Sequence, residues 1–579
     1  VRQRLATSIG ALLLVIAAAW IAASFRALPP AVDLRGMTWD AARHALIGLD
    51  TFDYLRRFEL LGLLVRLQDE HWWPPLFGIV SLPAYLIGGR RMSSPSLVSL
   101  AAYCLLPGIA WLAIRRMTTN VPLLAWGLVA LFFLRSPMLI EMSAWSMLEP
   151  VAALFALIAF CCFLSDPGSR ARNWAYGLAG ASTLLKYHYG FFLLVTLGVA
   201  TFAELDRDGV SAAVRYARLH LRRASIWIPT LILAAAVVAR STTGPGGPLP
   251  WIPSVPNLLW IGYVVALIVA TFRRVQTGHS PWEGLPAPVG RFITCGLIWP
   301  MIWCIDPANV RAWYRELITV REASPARWAD QIQAIAQYLV HDYSLGPAVL
   351  VVVLAGLAIS MTEGIRRRHG GLIALTLHAI WPAALMSLSS YPMESRFLST
   401  LAVCLYTSAA AGWTLFIARG GTALRIAATS ALLGVLMADQ AARTPEWKEE
   451  LAERRDYRYA SSDPPDQFVR ATVSAFRAGS AVLVVLPRDV YVVAPTIRLG
   501  IRLARKDLRP DAIDVEEGDT ALLAKRLRRF PGGLVGIELD PGALQRLVEQ
   551  SGLKVVSLAR GPALPEHPDR TLLVSRVER

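Results

Sequence analysis

Lysine is nearly absent from this chain. Of five lysines, Lys186 is the only one in the first 447 residues, and almost every other basic side chain is arginine. That bias points to a GC-rich, bacterial genome. Lys186 stands between Leu184-Leu185 and Phe191-Phe192-Leu193-Leu194. A lysine in such a run costs roughly 2.5–3.5 kcal/mol on membrane-insertion scales, and a paired anion would offset that cost. A lipid phosphate is an anion found at about this depth. Tyr187, His188 and Tyr189 supply further donors, and Gly190 could break the helix and make room for a ligand. The alternative is a lysine that snorkels from a helix end. Arg396, in Tyr391-Pro-Met-Glu-Ser-Arg-Phe, has the same two readings: an anion ligand or an interface anchor. Asp40 and Glu70 are a different kind of candidate. A carboxylate at a bilayer surface can serve as general base toward a hydroxyl or amine. The pair could also bind a divalent cation, although no spacing signature supports one. Glu141 and Glu149 lie between two apolar runs, where they line a cleft or cap helices.

These residues need a membrane to position them. The chain has 579 residues, of which 55% are hydrophobic and 17% charged, with a net charge of +16. The mean hydropathy of +0.44 is too high for a soluble enzyme of this length. A cytosolic enzyme, a disordered chain and a secreted disulfide scaffold are excluded. The arginines flank apolar runs, so the positive charge sets topology and is no nucleic-acid signal. All six cysteines sit in apolar stretches with no Cys-x-x-Cys, as expected of small buried hydrophobes.

The apolar runs predict an all-α polytopic membrane protein of roughly 13 transmembrane helices. They lie near 5–25, 75–89, 96–114, 121–134, 147–164, 174–203, 226–239, 257–272, 292–305, 346–360, 372–389, 397–417 and 423–438. The long run 174–203 is either one broken helix or a tight hairpin. Arginine clusters at 207–223, 273–274, 366–368 and 419–425 orient the later part with those loops inside. The clusters at 90–91, 115–116 and 170–172 cannot all be inside if every run spans once. Residues 26–74 form an outward loop with two amphipathic stretches, 38–49 and 52–67. Residues 1–440 thus form the membrane module, and 441–579 a polar, extracytoplasmic α/β domain. Within it, strands are expected at Ala481–Leu486, Leu534–Leu539, Leu553–Leu558 and Thr571–Val574, with helices at 496–506, 520–529 and 541–550.

The motifs and their order resemble the GT-C superfamily of membrane glycosyltransferases, in the branch of the protein O-mannosyltransferases and lipid A aminoarabinose transferases. Asp40-Ala41-Ala42-Arg43-His44 is similar to that branch's Asp-Glu-Ala-Arg-Tyr motif at its Asp, second Ala and Arg. Trp72-Trp73-Pro74-Pro75-Leu76 is similar to its acid–base–Pro-Pro-Leu element, Ser136-Pro137 and Glu149-Pro150 to a later Ser-Pro and acidic-Pro pair. Leu184-Leu185-Lys186-Tyr187 resembles its Leu-Thr-Lys-Gly, and Arg396-Phe397 its late Arg-aromatic pair. The matches run in family order through residues 1–417. Two of the motifs depart from it. Ala41 replaces the second acid, and two tryptophans replace the acid and base before Pro-Pro, so Glu70 or His71 would stand in.

The resemblance implies an inverting transfer of a monosaccharide from a polyprenyl-phosphate-linked donor to a glycan, lipid or protein acceptor, at the outer face of a bacterial inner membrane. Asp40 would be the base with Glu70 as second carboxylate. Lys186, Arg396, Arg43, His188 and Tyr187 would bind the lipid phosphate. No cofactor is required by the pattern, and a divalent cation is left open. Two other readings of the same sequence are a transporter or flippase of lipid-linked glycans and a non-catalytic subunit of an envelope assembly. The departures at Ala41 and Trp73 keep the second of these open.

Overall fold

A computed structural model describes residues 2–26, 39–63, 74–221 except 92, 119 and 167, 284–304, 309, 325–387 except 344 and 345, and 395–460. Beyond these it describes positions 473, 499, 501 and 502 and five strands after residue 480. Among the described residues, five helices are long and apolar enough to cross a membrane. The pair Pro122–Phe133 and Pro137–Ala144, bent by 65° at its break, makes six if it is one span. The protein is a multi-pass membrane protein, mostly helical.

The first helix, α1 (Arg2–Arg26), is followed by α2 (Trp39–Arg56) and two short helices, α3 (Leu76–Val80) and α4 (Leu82–Gly88). Next come α5 (Ser93–Met117), the bent pair α6 (Pro122–Phe133) and α7 (Pro137–Ala144), and α8 (Glu149–Phe163). Proline at the first turn opens α6 and α7, where its missing N–H is no loss. Ser136 caps α7 by accepting the Leu139 N–H at 3.4 Å.

Helix α5 runs antiparallel to α1. Trp111 Nε1 donates to the Thr7 carbonyl at 2.8 Å, whereas Gly108 lies against Ala11 and Val15. So α5 begins on the side of the membrane where α1 ends. The chain between them makes no net crossing, and the apolar run at 75–89 is not a span. It forms α3 and α4, whose 13 residues, Leu76–Gly88, would reach only about 20 Å, short of a roughly 30 Å hydrocarbon core. Its end is tied back to the preceding loop through Arg90, which pairs with Asp53 of α2. This corrects the sequence expectation, and it removes the conflict among the arginine clusters: Arg90-Arg91 fall on the side opposite Arg115-Arg116.

The run 174–203 is a hairpin of α9 (Arg170–Ser182) and α10 (Tyr187–Ala203). Tyr176 and Thr201 share a hydroxyl–hydroxyl bond of 2.8 Å near its open end. Gly190 packs onto the backbone of Thr183 at its closed end. Two helices of 13 and 17 residues thus stand where the sequence shows one apolar run. The remaining spans of the expected 13 at 226–239 and 257–272 lie outside the described residues.

The last part contains α11 (Pro325–Val340), α12 (Pro347–Arg366), α13 (Gly370–His378), α14 (Ser399–Ile417), α15 (Thr422–Ala442) and α16 (Thr444–Ala460). Helices α12 and α14 touch at Gly356 and Gly412, where an added Cβ on Gly412 would overlap the Gly356 carbonyl. Small residues permit this close approach between membrane helices. Ser360, Thr376 and Ser408 close a hydroxyl network among α12, α13 and α14 at 2.7–3.0 Å. Ion pairs gather at one end of the bundle: Arg172 with Glu204 at 2.9 Å, and Glu363 with Arg366, Arg367 and Arg419.

After residue 480 the described strands are β1 (Ala481–Pro487), β2 (Arg509–Val515), β3 (Leu534–Glu538), β4 (Lys554–Leu564) and β5 (His567–Glu578). They form one sheet in the order β2-β1-β3-β5-β4. β1 is parallel to β2 and β3, and β5 is antiparallel to β3 and β4. Four strands overlap the expected ones. The fifth, β2, carries Pro510, Asp511 and Asp514 and offers no apolar alternation. The helices expected between the strands lie outside the described residues, except for Leu499, Ile501 and Arg502.

A test of the short segment follows. In a background lacking the six native cysteines, Arg91→Cys should react with an impermeant thiol reagent from the same side as Phe58→Cys. Arg170→Cys should react only from the other side. All three native side chains are exposed. If Arg91→Cys instead labels with Arg170→Cys, residues 76–88 do cross.

Candidate functional site

The breaks in the helices meet at the end of the bundle opposite the Arg172 and Glu363 ion pairs. Lys186 lies in the tight turn between α9 and α10, in extended conformation (φ −155°, ψ 134°). Extended backbone at membrane depth is stable only inside protein or along a hydrated cavity. Here the turn is held from both sides. Lys186 N–H donates to Ser182 O at 3.2 Å, and Leu76 N–H, at the head of α3, donates to Leu184 O at 2.9 Å. Lys186 is only 7% exposed, so it does not reach outward as a snorkelling lysine would. Its Nζ sits over the Phe397 ring, 4.7 Å from the centroid.

Arg396 shares that ring. It belongs to a 3₁₀ turn, Ser395–Leu398, ahead of α14, and its guanidinium carbon is 5.2 Å from the Phe397 centroid. His188 meets Phe397 edge-on at 5.9 Å and is close enough to Lys186 and Arg396 to feel both charges. Tyr187 is buried, and its hydroxyl accepts the Trp303 Nε1–H at 2.9 Å. Two cations around one aromatic ring form a positive locus in a water-poor setting, where charge acts strongly.

The 3₁₀ turn is anchored to the rest of the bundle by Tyr343. Its hydroxyl donates to Ser395 O at 2.9 Å, and its own carbonyl accepts the Tyr406 hydroxyl at 3.0 Å. The neighbouring Asp342 carbonyl accepts Met138 N–H, at the head of α7, at 2.9 Å. The His341-Asp342-Tyr343 stretch thus stitches α7 to the Arg396 turn.

Helix α2 reaches the same place by its first turns. His44 donates from Nδ1 to Ser146 O at 3.2 Å, in the break between α7 and α8, and its ring lies 5.3 Å from Phe77 on α3. Phe77 follows Leu76, whose N–H holds the Lys186 turn. Asp40 is one turn before His44, on the same helix face. Asp40 lies within α2, but its side chain, like the whole of Glu70, lies outside the described residues. Arg43 is half-buried on α2. Glu141 and Glu149 are both buried on either side of the α7–α8 break.

Of the expected residues, then, the fold brings Lys186, His188 and Arg396 around one ring, with Tyr187 beside them. His44 and Trp303 as organising residues are not read from the sequence: His44 has its place one turn after Asp40 as a signal, and Trp303 only its position at the edge of an apolar run. The stretch His341-Asp342-Tyr343, ahead of the helix near Gly346, is the one the sequence offers as a cover for the site. Among the described residues, no group of three or more His, Cys, Asp or Glu could hold a metal ion.

The turn depends on Gly190. A Cβ there would overlap the backbone N and Cα of Thr183. Gly190→Ala should therefore force the hairpin apart and lower the melting temperature. The cost should be in the range of overpacking, about 1–3 kcal/mol. An unchanged melting temperature would show that the hairpin is not closed in this way.

No family model and no curated protein matches the chain. Among solved structures it is similar to apo ArnT from Cupriavidus metallidurans, with 15% identity over 97% of each chain and a TM-score of 0.37. It is also similar to the apo oligosaccharyltransferase of Archaeoglobus fulgidus, with 13% identity, 94% of this chain, 69% of that one and a TM-score of 0.48. The same enzyme with Zn and sulfate gives 14% identity, 93% of this chain, 69% of that one and a TM-score of 0.46.

Proposed function

We propose that the protein is a GT-C-type glycosyltransferase of a bacterial plasma membrane. It moves a monosaccharide from a polyprenyl-phosphate-linked donor to a glycan, lipid or protein acceptor at the outer face. The observation that carries this reading is the meeting of Lys186 and Arg396 on Phe397, with the Lys186 turn hydrogen-bonded to Leu76 at the head of α3, whose Phe77 lies against His44 of α2. A phosphate needs donors and positive charge in a dry site, and Lys186, Arg396 and His188 supply them. Arg43 and Tyr187 complete the donor-binding set.

Asp40 takes the proton from the acceptor nucleophile as its oxygen or nitrogen attacks the anomeric carbon. Glu70 orients the acceptor as second carboxylate. The bond from the anomeric carbon to the phosphate oxygen breaks, and the polyprenyl phosphate leaves with both electrons. Lys186 and Arg396 stabilise that developing charge, which is where fixed cations contribute most. Attack opposite the leaving group inverts the anomeric configuration. No step is routed through a divalent cation.

The arginine-rich loops lie inside, as the positive-inside rule requires. The site end, with Arg90-Arg91, then faces outward, and so does the region after residue 440 as a separate α/β domain. A structure with polyprenyl phosphate bound tests this reading. The phosphate oxygens should lie about 3 Å from Lys186 Nζ and the Arg396 guanidinium. A phosphate bound away from both residues would overturn it.

A further inference from the structure

We propose that the segment around Leu499–Arg502, part of the C-terminal region, docks on α2 as a latch, and that Arg502 is a positioning residue for the carboxylate at the head of that helix. The proposal rests on the reading of Asp40 as base. Arg502 Nη2 lies 3.0 Å from Asp50 Oδ1 and 2.9 Å from Asp53 Oδ2. Arg90 pairs with the other oxygen of Asp53, and its Nη2 donates to the Arg502 carbonyl at 3.0 Å. Arg90 therefore holds both the acid that Arg502 binds and the backbone of Arg502 itself.

The contact is buried. Asp50 is 4% and Asp53 6% exposed. Leu499 and Ile501 are fully buried, in the same apolar core as Leu46 and Leu49 of α2. The two carboxylates are three residues apart and lie on one face of α2. Arg502 pairs with both and Arg90 with Asp53. Removing one partner of a buried charge set is strongly unfavourable because it leaves uncompensated charge. The helix would have to shift to hydrate the two carboxylates.

That shift reaches the site because α2 is one continuous helix from Trp39 to Arg56. Asp50 and Asp53 lie near its end, and Asp40 near its start, about 15–20 Å away at 1.5 Å per residue. The start is fixed by His44 on Ser146 and Phe77, and the end by Arg90 and Arg502. A second tie brings the C-terminal region to the same end of the bundle. Trp447 Nε1 donates to Arg135 O at 2.9 Å, and the Arg135 guanidinium stacks on the Trp447 ring at 4.9 Å. Membrane module and C-terminal region thus share control of one helix.

The test compares wild type, Arg502→Gln and Arg502→Gln/Asp53→Asn in the full-length protein in detergent. In Arg502→Gln, amide hydrogen exchange across residues 41–56 should speed up by about tenfold or more, as for a locally opened helix. Turnover should fall about 10–100-fold, since a misplacement near 1 Å costs on that order. Polyprenyl-phosphate affinity should stay within about twofold, because Lys186 and Arg396 lie on other elements. Asp53→Asn removes the excess negative charge, so the double variant should regain protected exchange and most of the turnover. Unchanged exchange in Arg502→Gln overturns the latch. Lost turnover with unchanged exchange would mean that Arg502 touches substrate, which overturns the positioning role. If the wild type transfers no sugar, the proposed function fails, and the exchange arm still decides on the latch.

Discussion

Asp40→Asn should abolish sugar transfer while leaving expression, folding and donor binding close to wild type. A positioned base contributes about 10²–10⁴-fold, and asparagine keeps the shape but cannot take a proton. Asp40 lies in the first turn of α2. Its charge there favours the helix N-terminus by only about 0.3–1 kcal/mol, so little stability is at stake. The measurement is single-turnover transfer by purified protein, with polyprenyl-phosphate affinity measured in parallel. Turnover near wild type would remove Asp40 from the chemistry and direct attention to Glu70.

Lys186→Met should separate donor binding from chemistry in the opposite sense. Methionine keeps an unbranched apolar stem and loses the charge. Hydrogen bonds to charged groups contribute about 1.5–3 kcal/mol. Donor Kd should therefore rise roughly tenfold to a hundredfold. A lysine serving only as a snorkelling anchor predicts the reverse pattern. Affinity would not change and the melting temperature would rise, because a costly charge has left the bilayer. The burial of Lys186 beneath Phe397 argues for the first outcome.

The sequence made some of this legible for clear physical reasons. A lone lysine in an apolar run is costly, so Lys186 stood out before any coordinates. The near-continuous apolar run 174–203 left a broken helix and a hairpin both open, because burial on both sides erases the contrast between span and turn. Gly190 was the one local hint, and its reason is the Thr183 backbone against it. The run 75–89 was misleading in the other direction. Its composition suits a span, and only the antiparallel packing of α1 and α5 shows that it returns to the side it left. The ties of Tyr343 to Ser395 and of Arg502 to Asp53 are long-range, the second across 449 positions, and no local pattern announces them. Strand β2 was missed because its proline and two aspartates hide a parallel strand whose identity comes from pairing with β1.

The central claim is that this membrane protein breaks the sugar–phosphate bond of a lipid-linked donor. It is tested most directly by incubating the purified protein with a polyprenyl-phosphate-linked sugar and a cell-envelope extract, then following both halves of the donor by mass spectrometry. The account predicts free polyprenyl phosphate in equal amount to sugar newly attached to acceptor, with neither formed by Asp40→Asn. Donor that moves across vesicle bilayers with its sugar–phosphate bond intact, and without free polyprenyl phosphate, would contradict it and identify a flippase instead.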